Sequence, residues 1–319
     1  GFSRDSPLSG SPTEMDDSLQ LLPSVFVTHH EEDQPYGLGL GVYSPFGLAT
    51  DWPDDSPFFA IADRGELAYV TVHPVGAWRI NEKLSVGGGP TVNYADLEIV
   101  QNLAGFVYNG EDISFGFVLS ALWQPVEEHS FGLLYRSESV SETEGSAVIP
   151  NAGDTAGRAD FDFPAYWRFG YSYRPAPEWN FEVNLEWTDW ETFDTVLLET
   201  DLGVRIPFVF NWDSSWFYEF GGTRYFQNGS YLSAGYARVE NSVPDETWTP
   251  LIPDSDRNFY SIGAGFRGDR WRFDAVLQHG SGERTLGGPV PPVIGGVTQG
   301  TYETDSYAFN IALSFRFCE

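Results

Sequence analysis

A chain of 319 residues with 25 Phe, 16 Tyr, 11 Trp and 34 Gly is rich in the residues of strands and turns and poor in those of helices. Its formal charge of −29, with 17 Lys and Arg against 46 Asp and Glu, excludes nucleic acid as a partner, because phosphate binding needs basic patches. The single cysteine, Cys318, excludes a disulfide framework, and no CxxC, His/Cys cluster or cofactor motif offers a metal or prosthetic-group site.

Mean hydropathy is −0.26, and no run approaches the roughly 20 apolar residues that a membrane-spanning helix requires. That excludes helical spans only. A membrane barrel shows lipid one face of each strand, so half of every strand can be polar.

Residues 1–18 lack the basic segment and apolar stretch of a signal peptide and read as the remnant of an extracellular loop, with a barrel over 19–319. Thirteen alternating segments follow, at 19–30, 36–47, 65–80, 82–97, 111–123, 129–143, 160–174, 178–198, 206–226, 230–240, 256–267, 271–280 and 302–317. In the clearest, Ile113, Phe115, Phe117 and Leu119 share one face while Ser114, Gly116 and Ser120 share the other, the period of two that marks a strand with unlike sides. The last repeats it, with Tyr307, Phe309, Ile311, Leu313 and Phe315 opposing Ala308, Asn310, Ser314 and Arg316.

Connections alternate short (31–35, 81, 124–128, 175–177, 227–229, 268–270) and long (48–64, 98–110, 144–159, 199–205, 241–255, 281–301). That asymmetry is expected of an outer-membrane barrel, with tight periplasmic turns, long outer loops and strands near or above the roughly 9 to 11 residues a tilted crossing needs. Trp78, Trp123, Trp179 and Trp271 fall beside the short turns, where an aromatic belt is predicted. The fold class is thus an all-β, antiparallel up-and-down transmembrane barrel in a Gram-negative outer membrane, in contact with its lipid and lipopolysaccharide and monomeric. A closed bacterial barrel has an even number of strands. Thirteen therefore imply that a first strand lies outside this sequence.

Five stretches carry a family likeness: YGLGLGVYSPFGLATDWPDD (36–55), HPVGAWRINEKLSVGGG (73–89), FGLLYRSESV (131–140), FPAYWRFGYSYRPAPEWNFEVNLEWTDWETF (163–193) and NSVPDETWTPLIPDSDRNFYSIGAGF (241–266). In this order and spacing the chain resembles the FadL family of outer-membrane transporters for long-chain fatty acids and aromatic hydrocarbons. The resemblance implies a fourteen-stranded barrel with an N-terminal hatch. The hatch and first strand are then both absent from this sequence. It also implies a hydrophobic ligand that enters from outside and leaves sideways through the wall beside a kinked strand, without ATP. One departure stands out. Between Leu97 and Glu111 this chain has only about a dozen residues, where better-known members carry a long, partly helical segment.

Ser44, Pro45, Phe46 and Gly47 are the candidate kink, because proline removes a ladder donor and glycine permits a bend; alternatively Pro45 merely ends the strand. The resemblance favours the opening. Arg136 alternates with Gly132 and Leu134 and so points into the lumen, where a guanidinium needs either an anionic ligand or a carboxylate such as Glu182 or Glu186. In the family an arginine in this YRSE context lies by the ligand headgroup, and Arg205 falls near a second basic contact. Phe46, Leu134, Phe208 and Phe259 are candidates to meet the ligand's apolar part.

Two other functions compete. A general porin for polar solutes would line its channel with Arg168, Arg272, Arg316, Glu182, Glu186 and Asp274. A lipid hydrolase would need a base beside a nucleophile, but His29, His30, His73, His129 and His279 form no Ser/His/Asn arrangement, so no enzyme and no catalytic residue is predicted. The acidic groups Asp51, Asp54 and Asp55, and Glu138, Glu142 and Glu144, read either as solvated loops or as divalent-cation attractors.

Overall fold

The computed structural model describes residues 2–7, 11–16, 19–102, 105–287 and 298–317; Cys318 lies outside them. Strands in chain order are β1 (Phe2–Pro7), β2 (Thr13–Glu14), β3 (Val25–His30), β4 (Tyr36–Tyr43), β5 (Gly47–Asp51), β6 (Arg64–Arg79) and β7 (Leu84–Gln101). They continue with β8 (Phe106–Val126), β9 (His129–Arg136), β10 (Ser139–Ile149), β11 (Gly153–Phe163), β12 (Tyr166–Ala176), β13 (Trp179–Thr188) and β14 (Thr195–Thr200). The last are β15 (Arg205–Val209), β16 (Ser215–Tyr225), β17 (Ser230–Val239), β18 (Arg257–Arg267), β19 (Trp271–Leu286) and β20 (Gly300–Phe315). All pair antiparallel in one sheet.

Alternation decides what lipid meets. Phe115 is 70% exposed while its neighbour Ser114 is 3% exposed, and Ile113, Leu119, Trp167, Phe181, Phe220 and Ile262 face outward in the same way. Trp78, Trp123, Trp179 and Trp271, beside the short turns, are all exposed.

Each of the thirteen expected strands is present, the first shortened to Val25–His30 and five of them broken partway. Pro45 breaks β4 from β5, and Pro164 stands between β11 and β12; neither residue can donate to a ladder. A single 3₁₀ turn, Trp190–Thr192, lies between β13 and β14.

Two expectations about the outer end are corrected. The stretches 98–110 and 144–159 are mostly strand, with β7 running to Gln101, β8 starting at Phe106 and β10 joined to β11 by residues 150–152, and the connection at 199–205 shortens to residues 201–204. Charged residues outside the membrane resemble loop in sequence, yet in β10 and β11 Ala147, Ile149, Ala159 and Phe161 still point inward and are buried. Residues 1–18 are also not simply loop. β1 adds to the outer end of β20, Phe2 opposite Thr304 and Pro7 opposite Gly300, and β2 pairs back on β1. The Asp16 amide donates to the Asp51 carbonyl at 2.9 Å and returns this edge to β5, closing the ring there.

The interior differs from end to end. In the outer half one continuous buried cluster joins Tyr69, Leu97, Phe106, Tyr108, Phe161, Phe163, Leu198, Leu286 and Tyr302 from around the wall to Trp52, Phe58, Trp248 and Leu251 from the outer loops. The inner half is polar, with Arg168 bound to Glu186 at 2.7 Å and Arg272 to Asp274 at 2.8 Å.

Candidate functional site

Three adjacent strands are irregular at the same height. On β4 and β5, Tyr43 sits opposite Thr71 and Gly47 opposite Ala68, so Ser44, Pro45 and Phe46 face only two residues of β6, which is a bulge. On β6, pairing with β7 holds at Val72–Val92 and resumes at Gly76–Gly88, leaving His73, Pro74 and Val75 unpaired on that side. β7 answers with Gly89, where a Cβ would lie 1.9 Å from the Pro74 carbonyl oxygen, so only glycine lets the two backbones approach.

Arg136, the last residue of β9, faces this irregular wall and is 1% exposed. Its Nη2 donates to Thr71 Oγ1 at 3.0 Å and to Asn93 Oδ1 at 2.9 Å, and its Nη1 contacts the Tyr43 hydroxyl at 3.4 Å. Thr71 in turn donates to Asn93 Oδ1 at 2.9 Å, and Asn93 to Thr91 Oγ1 at 3.3 Å. Every partner is neutral. Glu186, one of the two carboxylates offered by the sequence, is engaged by Arg168, and no carboxylate of the described residues pairs with Arg136. Burying a charge without a counter-charge is costly, so this guanidinium favours any anion that reaches it.

Phe46, from the bulge, covers the guanidinium with its ring centroid 5.9 Å from Arg136 Cζ. The same ring meets Tyr69 at 5.3 Å, Phe163 at 5.4 Å and Trp190 at 5.9 Å. From Trp190 the contacts continue to Phe193 at 5.7 Å and Trp212 at 5.3 Å, and from Phe193 to Phe210 at 5.8 Å. Such pairs add about 0.5–1.5 kcal/mol each beyond burial. An aromatic track thus runs from the buried charge into the apolar filling of the outer half.

The sequence candidates are distributed unevenly around this centre. Phe46 touches Arg136, and Phe208 packs on Phe106 at 6.0 Å within the same filling. Leu134 lies on the inward side, lining a cavity of about 430 Å³ with Arg168, Gly170 and Asn184. Arg205 does not join Arg136: its side chain is 71% exposed and pairs with Glu199 at 2.8 Å. Phe259 lies across Gly280 on the opposite wall. Thr71, Asn93, Tyr69, Phe163 and Trp190 were not singled out by sequence. The available signal was that Tyr69, Thr71 and His73, and Thr91 and Asn93, are polar at inward positions of otherwise apolar strands.

Comparison with known proteins places the chain. A family profile described as outer membrane protein transport protein (OMPP1/FadL/TodX) matches residues 4–280. Long-chain fatty acid transport proteins of Escherichia coli O6:H1 and Salmonella typhi are 22% identical over 276 residues and 24% identical over 287, covering 72% and 77% of this chain. The chain spans 62% and 66% of the length of these curated relatives. A crystal structure of a Pseudomonas aeruginosa FadL homologue superposes with a TM-score of 0.83 at 16% identity, covering 99% of this chain and 88% of that one. That of the Pseudomonas putida toluene transporter TodX superposes at 0.74 with 14% identity, covering 99% and 87%. Both likenesses concern the fold. With most of its length matched, this outer-membrane β-barrel belongs to the OMPP1/FadL/TodX family of transport proteins.

Proposed function

We propose that this barrel passes hydrophobic small molecules, long-chain fatty acids or aromatic hydrocarbons, across the outer membrane down their gradient, as a monomer among lipid and lipopolysaccharide. The observation that carries this is the buried guanidinium of Arg136, held only by neutral side chains and covered by Phe46 at the end of an aromatic track. Apolar cargo partitions into the aromatic filling, and the polar end of an amphiphile is drawn to Arg136. Names of the relatives, fatty acid transport proteins and a toluene transporter, support the same two cargo classes.

Lateral release is the exit that best suits such cargo. The polar inner half would cost an apolar molecule its contacts, whereas the bulge at Ser44–Gly47 interrupts the wall beside the site. Between the Val25–Val42 pair and the Asp16–Asp51 hydrogen bond, no ladder among the described residues joins this edge to the preceding segment.

Conductance separates this reading from a porin. In planar bilayers the chain is expected to give little steady current, because the outer half is filled by side chains from opposite walls. Large, stable ohmic steps like those of a general porin would rule for a water channel.

A further inference from the structure

Beside Arg136 stands a second polar group with no role in the scheme above. His73 on β6 approaches the Tyr43 hydroxyl through Nδ1 at 3.3 Å, and its ring lies edge-on to Tyr43 with centroids 6.2 Å apart. Its Nε2 is buried and has no hydrogen-bond partner among the described residues. A buried polar atom of this kind calls for an explanation, since leaving it unmet costs about 1–3 kcal/mol.

The hydrogen-bond chain favours one tautomer of the ring, the one that gives the Tyr43 hydroxyl an acceptor. Arg136 can only donate, so its Nη1 contact makes the Tyr43 oxygen an acceptor and leaves the Tyr43 O–H to donate onward. In that tautomer the His73 Nδ1 accepts the proton. In the neutral imidazole the other nitrogen then carries hydrogen, so Nε2–H is a donor without an acceptor. Arg136 beside it lacks a counter-charge: its Nη2 donates to Thr71 and Asn93 and its Nη1 contacts Tyr43, all of them neutral. Two neighbouring groups, linked through one tyrosine, thus present an unmet ring nitrogen and a positive charge without a counter-charge. A hydrocarbon satisfies neither. A head with two oxygens satisfies both.

We infer that His73 is a second headgroup contact, and that with Arg136 it makes the site selective for carboxylated amphiphiles over uncharged hydrocarbons of the same length. This rests on the reading of Arg136 as the headgroup site. The irregular wall supplies the reason His73 can serve: with Pro74 next to it and the β6–β7 ladder open at 73–75, its strand is not held flat at this point.

The test is calorimetric titration of the detergent-solubilised chain with a C16 carboxylate and with its methyl ester, on the parent, His73→Phe, His73→Gln and Arg136→Met. His73→Phe is expected to weaken the carboxylate about tenfold or more, the loss of one hydrogen bond to a charged group, and to leave the ester unchanged. His73→Gln, whose amide N–H can stand in for Nε2–H, should recover most of that loss. If His73→Phe does not fold, Tyr43→Phe, which removes the relay, should show a smaller loss confined to the carboxylate. Unchanged carboxylate affinity in His73→Phe alongside a loss in Arg136→Met removes His73 and keeps the Arg136 site. Equal loss for carboxylate and ester makes His73 a structural residue and overturns the inference. No change in either variant overturns the headgroup site itself.

Discussion

Replacing Arg136 with methionine should cut affinity for a long-chain carboxylate by about 10- to 150-fold, the equivalent of about 1.5–3 kcal/mol for a hydrogen bond to a charged group. The same change should leave thermal stability unaltered or raise it. These two outcomes belong together. Methionine keeps the length of the side chain, and the groups that now hold the guanidinium satisfy one another without it, since Thr71 donates to Asn93 and Asn93 to Thr91. Replacing a buried charge by a well-packed apolar group is often neutral or stabilising. Were Arg136 a structural strut, stability would fall and binding would follow it down. Titration of the purified variant together with its unfolding midpoint distinguishes the two.

Gly89→Ala should destabilise the barrel at or above the upper end of the range of about 1–3 kcal/mol for overpacking, because the new methyl meets backbone on both sides of a bond that cannot rotate away. The Cβ would stand 1.9 Å from the Pro74 oxygen, 2.9 Å from its carbonyl carbon and 3.1 Å from Val75 Cα. β7 must then part from β6 where Thr71, His73 and Asn93 assemble, so ligand affinity should drop with stability. Gly76→Ala is the matched control. It lies on β6 three residues from His73, and nothing stands within 4 Å of its added Cβ. Thermal unfolding in detergent should shift markedly for the first variant and scarcely for the second.

What could be read in advance follows from which signals are local. Facing was legible throughout: Ile113, Phe115 and Phe117 alternate with Ser114 and Gly116, and the strand shows lipid the face that the period of two assigns. The outer hairpin at 144–159 reads as a loop because charge at Glu144, Asp154 and Arg158 resembles solvated connection. Their inward partners Ala147 and Ala159 are small enough that the alternation was easily overlooked.

The inward direction of Arg136 was legible, because it alternates with Gly132 and Leu134 opposite an aromatic face, and it is buried there. Its partners were not. Thr71, Asn93 and Tyr43 come from three other strands, and their meeting depends on the register of β4, β6, β7 and β9, which no local pattern fixes. Arg205 lies elsewhere. The family likeness set it near a second basic contact, but its side chain is exposed and pairs with Glu199, where a charge keeps its hydration.

The most direct test of the central claim is uptake by a Gram-negative host deprived of its own route for hydrophobic compounds and supplied with this chain. Labelled long-chain fatty acid or toluene should accumulate with saturable kinetics, while a labelled disaccharide should not. Entry of the disaccharide without the hydrophobic compounds would contradict the account.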